Sequence, residues 1–265
     1  MALDDGKVSQ EYLQRAAEQL RHVKQLSYQR MAIGPGDTVL DAGCGPGVDT
    51  VPLAKLVGSQ GEVIGIDNDE AMLETANQYA LENGVSGWTK HQLGSALALP
   101  LTGGSVDSCR AERLMQVLAR EQELPLLKEL VRVTKPGGRV VLVDTDWGSA
   151  SVDCDDAELE RRLMSFFASR LRPNGFAGRR LYALCQQLGL EEILLDIVPL
   201  PFHDFEETPF GKWLFDSALK AKVVSGEEAE RWRGEQVRRS KQGCFLACVN
   251  MVIVSATRTR TSKPR

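Results

Sequence analysis

The sequence has few residues of the kinds that bind metal ions, cross membranes or attract nucleic acids. Its six cysteines form no Cys-x-x-Cys pair and only three histidines occur in 265 residues, so no metal site is predicted. No apolar run approaches the ~18 residues that a membrane-spanning helix needs. Basic residues are fewer than acidic ones, 32 against 36, and the net charge of −4 argues against non-specific nucleic-acid binding as the main function.

The remaining composition is that of an ordinary globular protein, with 43% hydrophobic and 26% charged residues. A chain of this length can bury a core that needs neither disulfide bonds nor a structural metal ion. The beginning of the chain, MALDDGKVSQEYLQRAAEQL, lacks the apolar segment of a signal peptide. We therefore expect a single domain over residues 1–265, soluble and cytoplasmic, with its cysteines reduced.

Short apolar runs typical of β-strands alternate with segments of helical periodicity. This alternation predicts a doubly wound, mostly parallel α/β sheet with helices on both faces. The predicted strands span residues 38–42, 61–67, 88–93, 106–111, 139–144, 192–198 and 245–255. In the later part of the chain, helices are predicted at about 156–171, 178–188, 207–222 and 226–241.

A glycine-rich loop directly follows the first predicted strand. The segment VLDAGCGPG contains Gly43, Gly45 and Gly47, and glycine lets the backbone approach a ligand closely. Asp67 ends the second predicted strand, 24 residues after Gly43, where a carboxylate in nucleotide-binding α/β sheets accepts hydrogen bonds from ribose hydroxyls. The two elements together predict a site for a cofactor that contains adenosine.

The spacing of the glycines discriminates among such cofactors. A dinucleotide fingerprint, G-x-G-x-x-G/A, requires glycine or alanine where Val48 stands, and here the third glycine comes one residue earlier. A P-loop requires Gly-Lys-Ser/Thr, which does not follow. The loop therefore disfavours both a nicotinamide dinucleotide and a nucleoside triphosphate.

Four motifs follow one another in an order found in a known enzyme family. VLDAGCGPG is followed by VIGID, then by LGSALALPLTGGSVDSCRAERLMQVL, and then by RVTKPGGRVVLVDTDW. Over residues 25–147 the chain resembles the class I S-adenosylmethionine-dependent methyltransferases, most closely the small-molecule branch that includes ubiquinone, menaquinone and natural-product methyltransferases. The resemblance implies a seven-stranded sheet with an antiparallel last strand, and a helical cap and lid.

The resemblance also implies roles for individual residues toward S-adenosylmethionine. The glycine loop and the end of the fourth strand would bind the methionine part, Asp67 the ribose, and residues after the second and third strands the adenine. The family usually has aspartate where Ser95 stands, and often histidine where Val117 stands, so both contacts differ in this chain. The implied cofactor-binding residues are Gly43, Cys44, Gly45, Asp67, Asn68, Met72, Ser95, Ala96, Ala111 and Glu112.

Residues that act on the methyl acceptor are predicted from their places after the strands and within the inserts. Positioning alone can supply about 7–11 kcal/mol toward such a displacement, so a base is required only for a protonated nucleophile of high pKa. The candidate acid–base residues are Glu112, Asp146 and His203. The candidate substrate-binding residues are Tyr12, Tyr28, Arg113, Trp147, Arg179 and Phe202.

These observations predict one methyltransferase domain with a helical cap at 1–34, a cofactor-binding core at 35–147, lid inserts at 148–190 and 203–242, and a mobile basic tail at 256–265. The expected acceptor is a small, apolar or aromatic metabolite that is methylated at O, N or C. The expected state is a monomer or homodimer without bound nucleic acid. Three alternatives stay open: an RNA or protein methyltransferase, a nicotinamide-dependent oxidoreductase, and a non-catalytic cofactor-binding module.

Overall fold

The structure is a computed structural model that describes residues 20–260. Tyr12, most of the predicted cap and residues 261–265 lie outside the described residues. The strands are β1 Thr38–Ala42, β2 Glu62–Asp67, β3 Thr89–Leu93, β4 Val106–Glu112, β5 Thr134–Val152, β6 Glu191–Phe202 and β7 Ala247–Thr257. The α-helices are α1 Arg21–Met31, α2 Thr50–Val57, α3 Glu70–Glu82, α4 Glu123–Val133, α5 Ala157–Phe166, α6 Ala177–Gln187, α7 Lys212–Lys220 and α8 Gly226–Lys241.

The strands form one seven-stranded sheet in the order β3-β2-β1-β4-β5-β7-β6. The first five strands are parallel, whereas β7 runs antiparallel between β5 and β6. This confirms the predicted class, a doubly wound sheet with an antiparallel last strand. The strand order reverses between β1 and β4, and ligands of such sheets bind beyond the carboxyl ends of the strands at that point.

The two faces of the sheet are covered by different helices. Val39 and Val141 point to the face on which α1, α2 and α3 pack. Leu40 and Leu142, their neighbours along the strands, point to the opposite face, where α4 and α6 pack. This follows from the alternation of side chains along a strand, and it leaves the carboxyl edge of the sheet as the place for a site.

The predicted lid segments have a separate aromatic core. Phe205 contacts Trp232 and Phe245 with ring centroids 6.0 and 5.9 Å apart, in edge-on geometry. Phe167 packs edge-on against Phe210 at 5.1 Å. Burial of these rings stabilises α5, α7 and α8 against one another, so the aromatic residues of the inserts are used mainly for packing.

Several predicted boundaries were wrong because tertiary pairing extends the strands. The fifth strand continues past Asp144 to Val152, since Asp146 and Ser151 still pair with β7. Asp146 and Trp147 therefore lie within a strand rather than after it. The helix predicted at 207–222 is shorter, and α5 continues into a π-helix at Phe167–Leu171.

The beginning of the predicted basic tail is part of the sheet. Residues 256 and 257 belong to β7, and Arg258 pairs through its backbone with Gly137 and Gly138. The Arg258 guanidinium donates to the carbonyl of Arg132 at 3.0 Å. The first residues of the predicted tail are thus docked on the beginning of β5.

Candidate active site

The glycine loop bends sharply between β1 and α2. Gly43, Gly45 and Gly47 have φ angles of 74°, 51° and 77°, in the left-handed region that glycine adopts without strain. A Cβ atom on Gly47 would lie 2.9 Å from the Cβ of Ala76 in α3, so this position also requires a residue without a side chain. A Cβ atom on Gly45 would meet nothing within 4 Å, and the loop is therefore bordered by open space at that residue.

Asp67 faces the same crevice as the loop. Its Oδ2 accepts the backbone N–H of Gly45 at 2.8 Å, and its Oδ1 accepts the N–H of Asp69 at 3.0 Å. Because each carboxylate oxygen has two acceptor positions, both keep capacity for a further hydroxyl donor. The two elements that the sequence placed 24 residues apart thus meet directly.

The other predicted cofactor residues surround this contact. Asp69 caps α3 by accepting the N–H of Ala71 at 3.0 Å. Asn68, before the cap, is exposed, and Met72, on the first turn of the helix, is half-buried. Ser95 is exposed in the turn after β3, where its hydroxyl accepts an N–H at 3.2 Å. Of the remaining predicted residues, Cys44 lies in the glycine loop, Ala96 in the turn after β3, and Ala111 near the end of β4.

A cluster of buried charges lies next to the crevice on the side of α1. The fully buried Arg110 of β4 lies beside Asp41 of β1 in the sheet register. Its guanidinium is 3.5 Å from Asp41 and 3.4 Å from Asp49, and it also contacts Glu112. Lys24 of α1 adds a second cation, 2.5 Å from Asp49 and 3.2 Å from Glu112.

Burial and pairing shift the pKa values of this cluster in different directions. Burial raises the pKa of Asp41 to about 6, although Arg110 acts in the opposite sense. Burial alone would raise the pKa of Asp49 too, but the charges of Arg110 and Lys24 outweigh it and hold that pKa below its ordinary value. Burial also lowers the pKa of Lys24. Asp49 is therefore the firmly ionised carboxylate, and Asp41 the one that can take a proton.

Sequence reasoning missed Lys24, Asp41, Asp49 and Arg110. A signal was present for two of them, because Asp41 and Arg110 are charged residues within the predicted strands 38–42 and 106–111. Charged side chains inside a buried sheet require partners, so one charge of each sign in two neighbouring strands indicates a buried pair.

Trp147 of β5 is buried in the aromatic core of the inserts, with 5% of its surface exposed. Its indole N–H donates to the side-chain oxygen of Gln116 at 2.7 Å, and its ring packs edge-on against Phe167 at 5.3 Å. The guanidinium of Arg172 lies over both rings, 4.4 Å from the centroid of Trp147 and 4.6 Å from that of Phe167. Arg113 directly follows β4 and has a positive φ of 54°, a strained conformation for a residue other than glycine.

The three predicted acid–base residues are placed where proton transfer is disfavoured. Glu112 is held by Arg110 and Lys24 within the buried cluster. Asp146 accepts from the Arg179 guanidinium at 2.8 and 3.0 Å. His203 follows β6 and is exposed to solvent. These positions argue against a general base among them.

The predicted substrate-binding residues divide in the same way. Tyr28 donates its hydroxyl to Asp49, and Phe202 is buried in the lid core, so both are used in internal packing. Arg179 is held by Asp146 and lies 5.0 Å from the ring of Phe176. Trp147 is buried in the same core as Phe202, and Arg113 is half-buried directly after β4.

Asp144 of β5, which sequence reasoning also missed, is buried, with 2% of its surface exposed. It accepts the N–H groups of Gln116 at 3.1 Å and Thr145 at 2.9 Å, but burial outweighs these bonds and raises its pKa to about 7. The folded protein therefore keeps a proton that the unfolded chain releases near its ordinary pKa of 3.8. This contribution to stability is present at low pH and is lost as the pH rises through 7.

We expect the free energy of unfolding to fall by up to about 1.4 kcal/mol per pH unit as Asp144 titrates below pH 7. In Asp144→Asn that dependence disappears, because the amide does not titrate. Urea denaturation at pH 6.0, 6.5 and 7.0 measures how the free energy of unfolding of each protein changes with pH. These pH values lie above most of the range in which Asp41, with a pKa of about 6, takes up a proton. Equal slopes for the two proteins would show that Asp144 has an ordinary pKa.

Within residues 20–260, no three His, Cys, Asp or Glu side chains are grouped so as to hold a metal ion. In the same part of the chain, none of the helices has the length and apolar character needed to cross a bilayer.

Comparison with known proteins defines the class. A family model described as a methyltransferase domain matches residues 39–138, from β1 into β5. Together with the strand order and the shared crevice of Gly45 and Asp67, this match establishes the class. The chain belongs to the class I S-adenosylmethionine-dependent methyltransferases.

Two relatives and one solved structure are similar over different lengths. An uncharacterized 37.1 kDa protein in transposon TN4556 of Streptomyces fradiae is 31% identical over 90% of this chain and 68% of that protein. The 2-phytyl-1,4-naphtoquinone methyltransferase of Synechococcus elongatus is 38% identical over 46% of this chain, and the match spans about half, 51%, of that enzyme. The YcgJ protein of Bacillus subtilis has the same fold, with a TM-score of 0.60 and 19% identity over 91% of this chain and 100% of that one.

Proposed function

We propose that the chain transfers the methyl group of S-adenosylmethionine to O, N or C of a small apolar or aromatic metabolite, releasing S-adenosylhomocysteine. The observation that carries this proposal is the hydrogen bond from Gly45 to Asp67. It joins a glycine loop and a ribose-type carboxylate in one crevice, at the edge of the sheet where the strand order reverses.

The residues of the crevice fit this donor. Open space borders the loop at Gly45, and the Asp67 carboxylate keeps acceptor positions for two ribose hydroxyls. The loop backbone with Ala111 would hold the methionine part, and the exposed or half-buried Asn68, Met72, Ser95 and Ala96 would hold the adenine. When bound, S-adenosylmethionine supplies an electrophilic methyl group.

The acceptor class is inferred from a relative. The Synechococcus elongatus enzyme is named for a naphthoquinone, a planar and largely apolar molecule, and the match spans about half of that enzyme. The aromatic rings beside β5 do not carry this inference, because Trp147 and Phe167 are buried, 5% and 0% exposed, and the guanidinium of Arg172 lies over both.

The chain would promote transfer by alignment and exclusion of water. Glu112 and Asp146 are engaged in ion pairs, and His203 lies in solvent, so no side chain among them is free to accept a proton at the crevice. Positioning of the nucleophile in line with the methyl group and the sulfur contributes about 7–11 kcal/mol in favourable cases. We therefore expect that none of these three side chains deprotonates the acceptor.

Calorimetry and native mass spectrometry of the purified protein test the proposal together. We expect S-adenosylhomocysteine to bind with a stoichiometry of one, NAD⁺ not to bind, and donor or its demethylated product to co-purify. Transfer of radiolabelled methyl from S-adenosylmethionine to a panel of naphthoquinols and phenols identifies the acceptor class. Binding of NAD⁺ in place of S-adenosylhomocysteine would establish the oxidoreductase, donor binding without transfer to any acceptor favours a binding module, and salt-sensitive retention of RNA would favour a macromolecular substrate.

A further inference from the structure

Asp49 occupies the first position before α2 but does not cap that helix. Its φ and ψ angles are −91° and −30°, and its side chain makes no capping hydrogen bond. An aspartate at this position ordinarily accepts an N–H group of the first helical turn, a bond that contributes about 1 kcal/mol. Here Oδ2 instead accepts from the Lys24 ammonium at 2.5 Å, and Oδ1 accepts the hydroxyl of Tyr28. The residue that joins the glycine loop to α2 is thus bound to α1.

Lys24 connects the glycine loop to the end of β4. Besides Asp49, which follows the glycine loop, its ammonium is 3.2 Å from Glu112 at the carboxyl end of β4. The side chain is only 10% exposed, so these contacts are little screened by solvent. The loop and the end of β4, which the donor would contact together, are therefore held by one side chain of a helix that lies before the matched family domain at residues 39–138.

The contacts of Lys24 matter because the cluster contains more carboxylates than cations. Asp41, Asp49 and Glu112 carry up to three negative charges against the two positive charges of Lys24 and Arg110. Without Lys24, Arg110 alone would face all three carboxylates, and like charges at buried positions repel strongly. Protonation of Asp41 relieves part of this repulsion. Separation of Asp49 from Glu112 would relieve the rest, and it would widen the distance between the loop and β4.

We propose that Lys24 and Tyr28 are positioning residues of the methyl-donor site, which fix the glycine loop relative to the end of β4 through Asp49 and Glu112. The inference rests on the proposed function, because it concerns binding of the same donor. Preorganisation of a site reduces the cost of ordering it when a ligand binds. Docking of α1 is therefore part of donor recognition as well as of folding.

Calorimetric titration of S-adenosylhomocysteine into Lys24→Met tests this role at a temperature well below the melting point of each variant. We expect the Kd to rise about tenfold, the magnitude that follows when about 1.4 kcal/mol of preorganisation is lost. The matched control is Arg21→Met, which removes an exposed positive charge from the same helix and leaves the Kd unchanged. A purely structural role for Lys24 would lower the melting temperature without changing the Kd.

A double-mutant cycle shows whether Lys24 acts through Asp49. In the Asp49→Asn background, we expect Lys24→Met to change the Kd by less than about twofold, because coupled residues are not additive. An equal effect in both backgrounds, or an unchanged Kd in Lys24→Met, would overturn the positioning role. If Lys24→Met does not fold, Tyr28→Phe applies the same test by removing a single hydroxyl from a ring that stays packed. Failure of the unaltered protein to bind S-adenosylhomocysteine would instead overturn the proposed function.

Discussion

Replacement of Asp67 by alanine is expected to raise the Kd for S-adenosylhomocysteine on the order of 100-fold. Hydrogen bonds to a charged group contribute about 1.5–3 kcal/mol each, and the carboxylate would provide at least one to the ribose. The variant also loses the bond that Asp67 accepts from Gly45, so the loop beside the donor is less well fixed. Isothermal titration calorimetry measures the affinity, and circular dichroism verifies that the sheet is intact.

Asp69→Ala is the matched control for that experiment. It removes the same charge two residues further on and costs about 1 kcal/mol of stability, because Asp69 caps α3. Its affinity for S-adenosylhomocysteine should stay within about twofold of the unaltered protein, since its backbone N–H still donates to Asp67. If the two variants bind equally well, Asp67 does not hold the ribose.

The second large effect is expected on stability, from Arg110→Met. This change leaves Asp41, Asp49 and Glu112 with Lys24 as their only cation in the cluster of the described residues. Loss of one partner from a buried ion pair costs about 3–5 kcal/mol. Because the pKa of Asp41 is already raised to about 6, this carboxyl can take up a proton, which limits the loss.

Urea denaturation at pH 7.5 measures that loss, and Lys90→Met provides the comparison. Lys90 pairs with Glu62 at 2.5 Å, but its side chain is 71% exposed, and a surface pair of this kind contributes less than about 1 kcal/mol. If Arg110→Met destabilises the protein no more than Lys90→Met does, the buried cluster does not stabilise the fold. Arg110→Lys keeps the charge at shorter reach and should lose less than Arg110→Met.

The sequence predicts the central sheet well because local signals and tertiary structure agree there. Glycines that require positive φ and an aspartate that ends a strand are short-range features, and both lie where the motifs place them. The bounds of β1 are also as predicted, since its apolar run is flanked by turn residues on both sides.

The prediction failed where pairing between distant segments decides the structure. The extension of β5 to Val152 depends on β7, which is about 100 residues further along the chain. Glu112 and Asp146 were predicted to be acid–base residues from their place after the strands, but their partners, Lys24 and Arg179, come from helices whose position is not encoded locally. Spacing along the chain locates a carboxylate at an edge without showing whether a cation already holds it.

The length of β5 has a consequence for any exchange of the inserts between relatives. The same strand pairs with β4 in the donor half and, near its end, with β7 beside the aromatic core of the inserts, through Ser151 with Cys248 and Val152 with Ala247. A chimera that replaces only the helices within 157–187 and 212–241 would separate the aromatic side chains of these helices from the paired ends of β5 and β7, on which they pack. A graft that carries residues 144–152 and 245–250 together with those helices keeps that support, and a recombined enzyme should be designed with its junctions there.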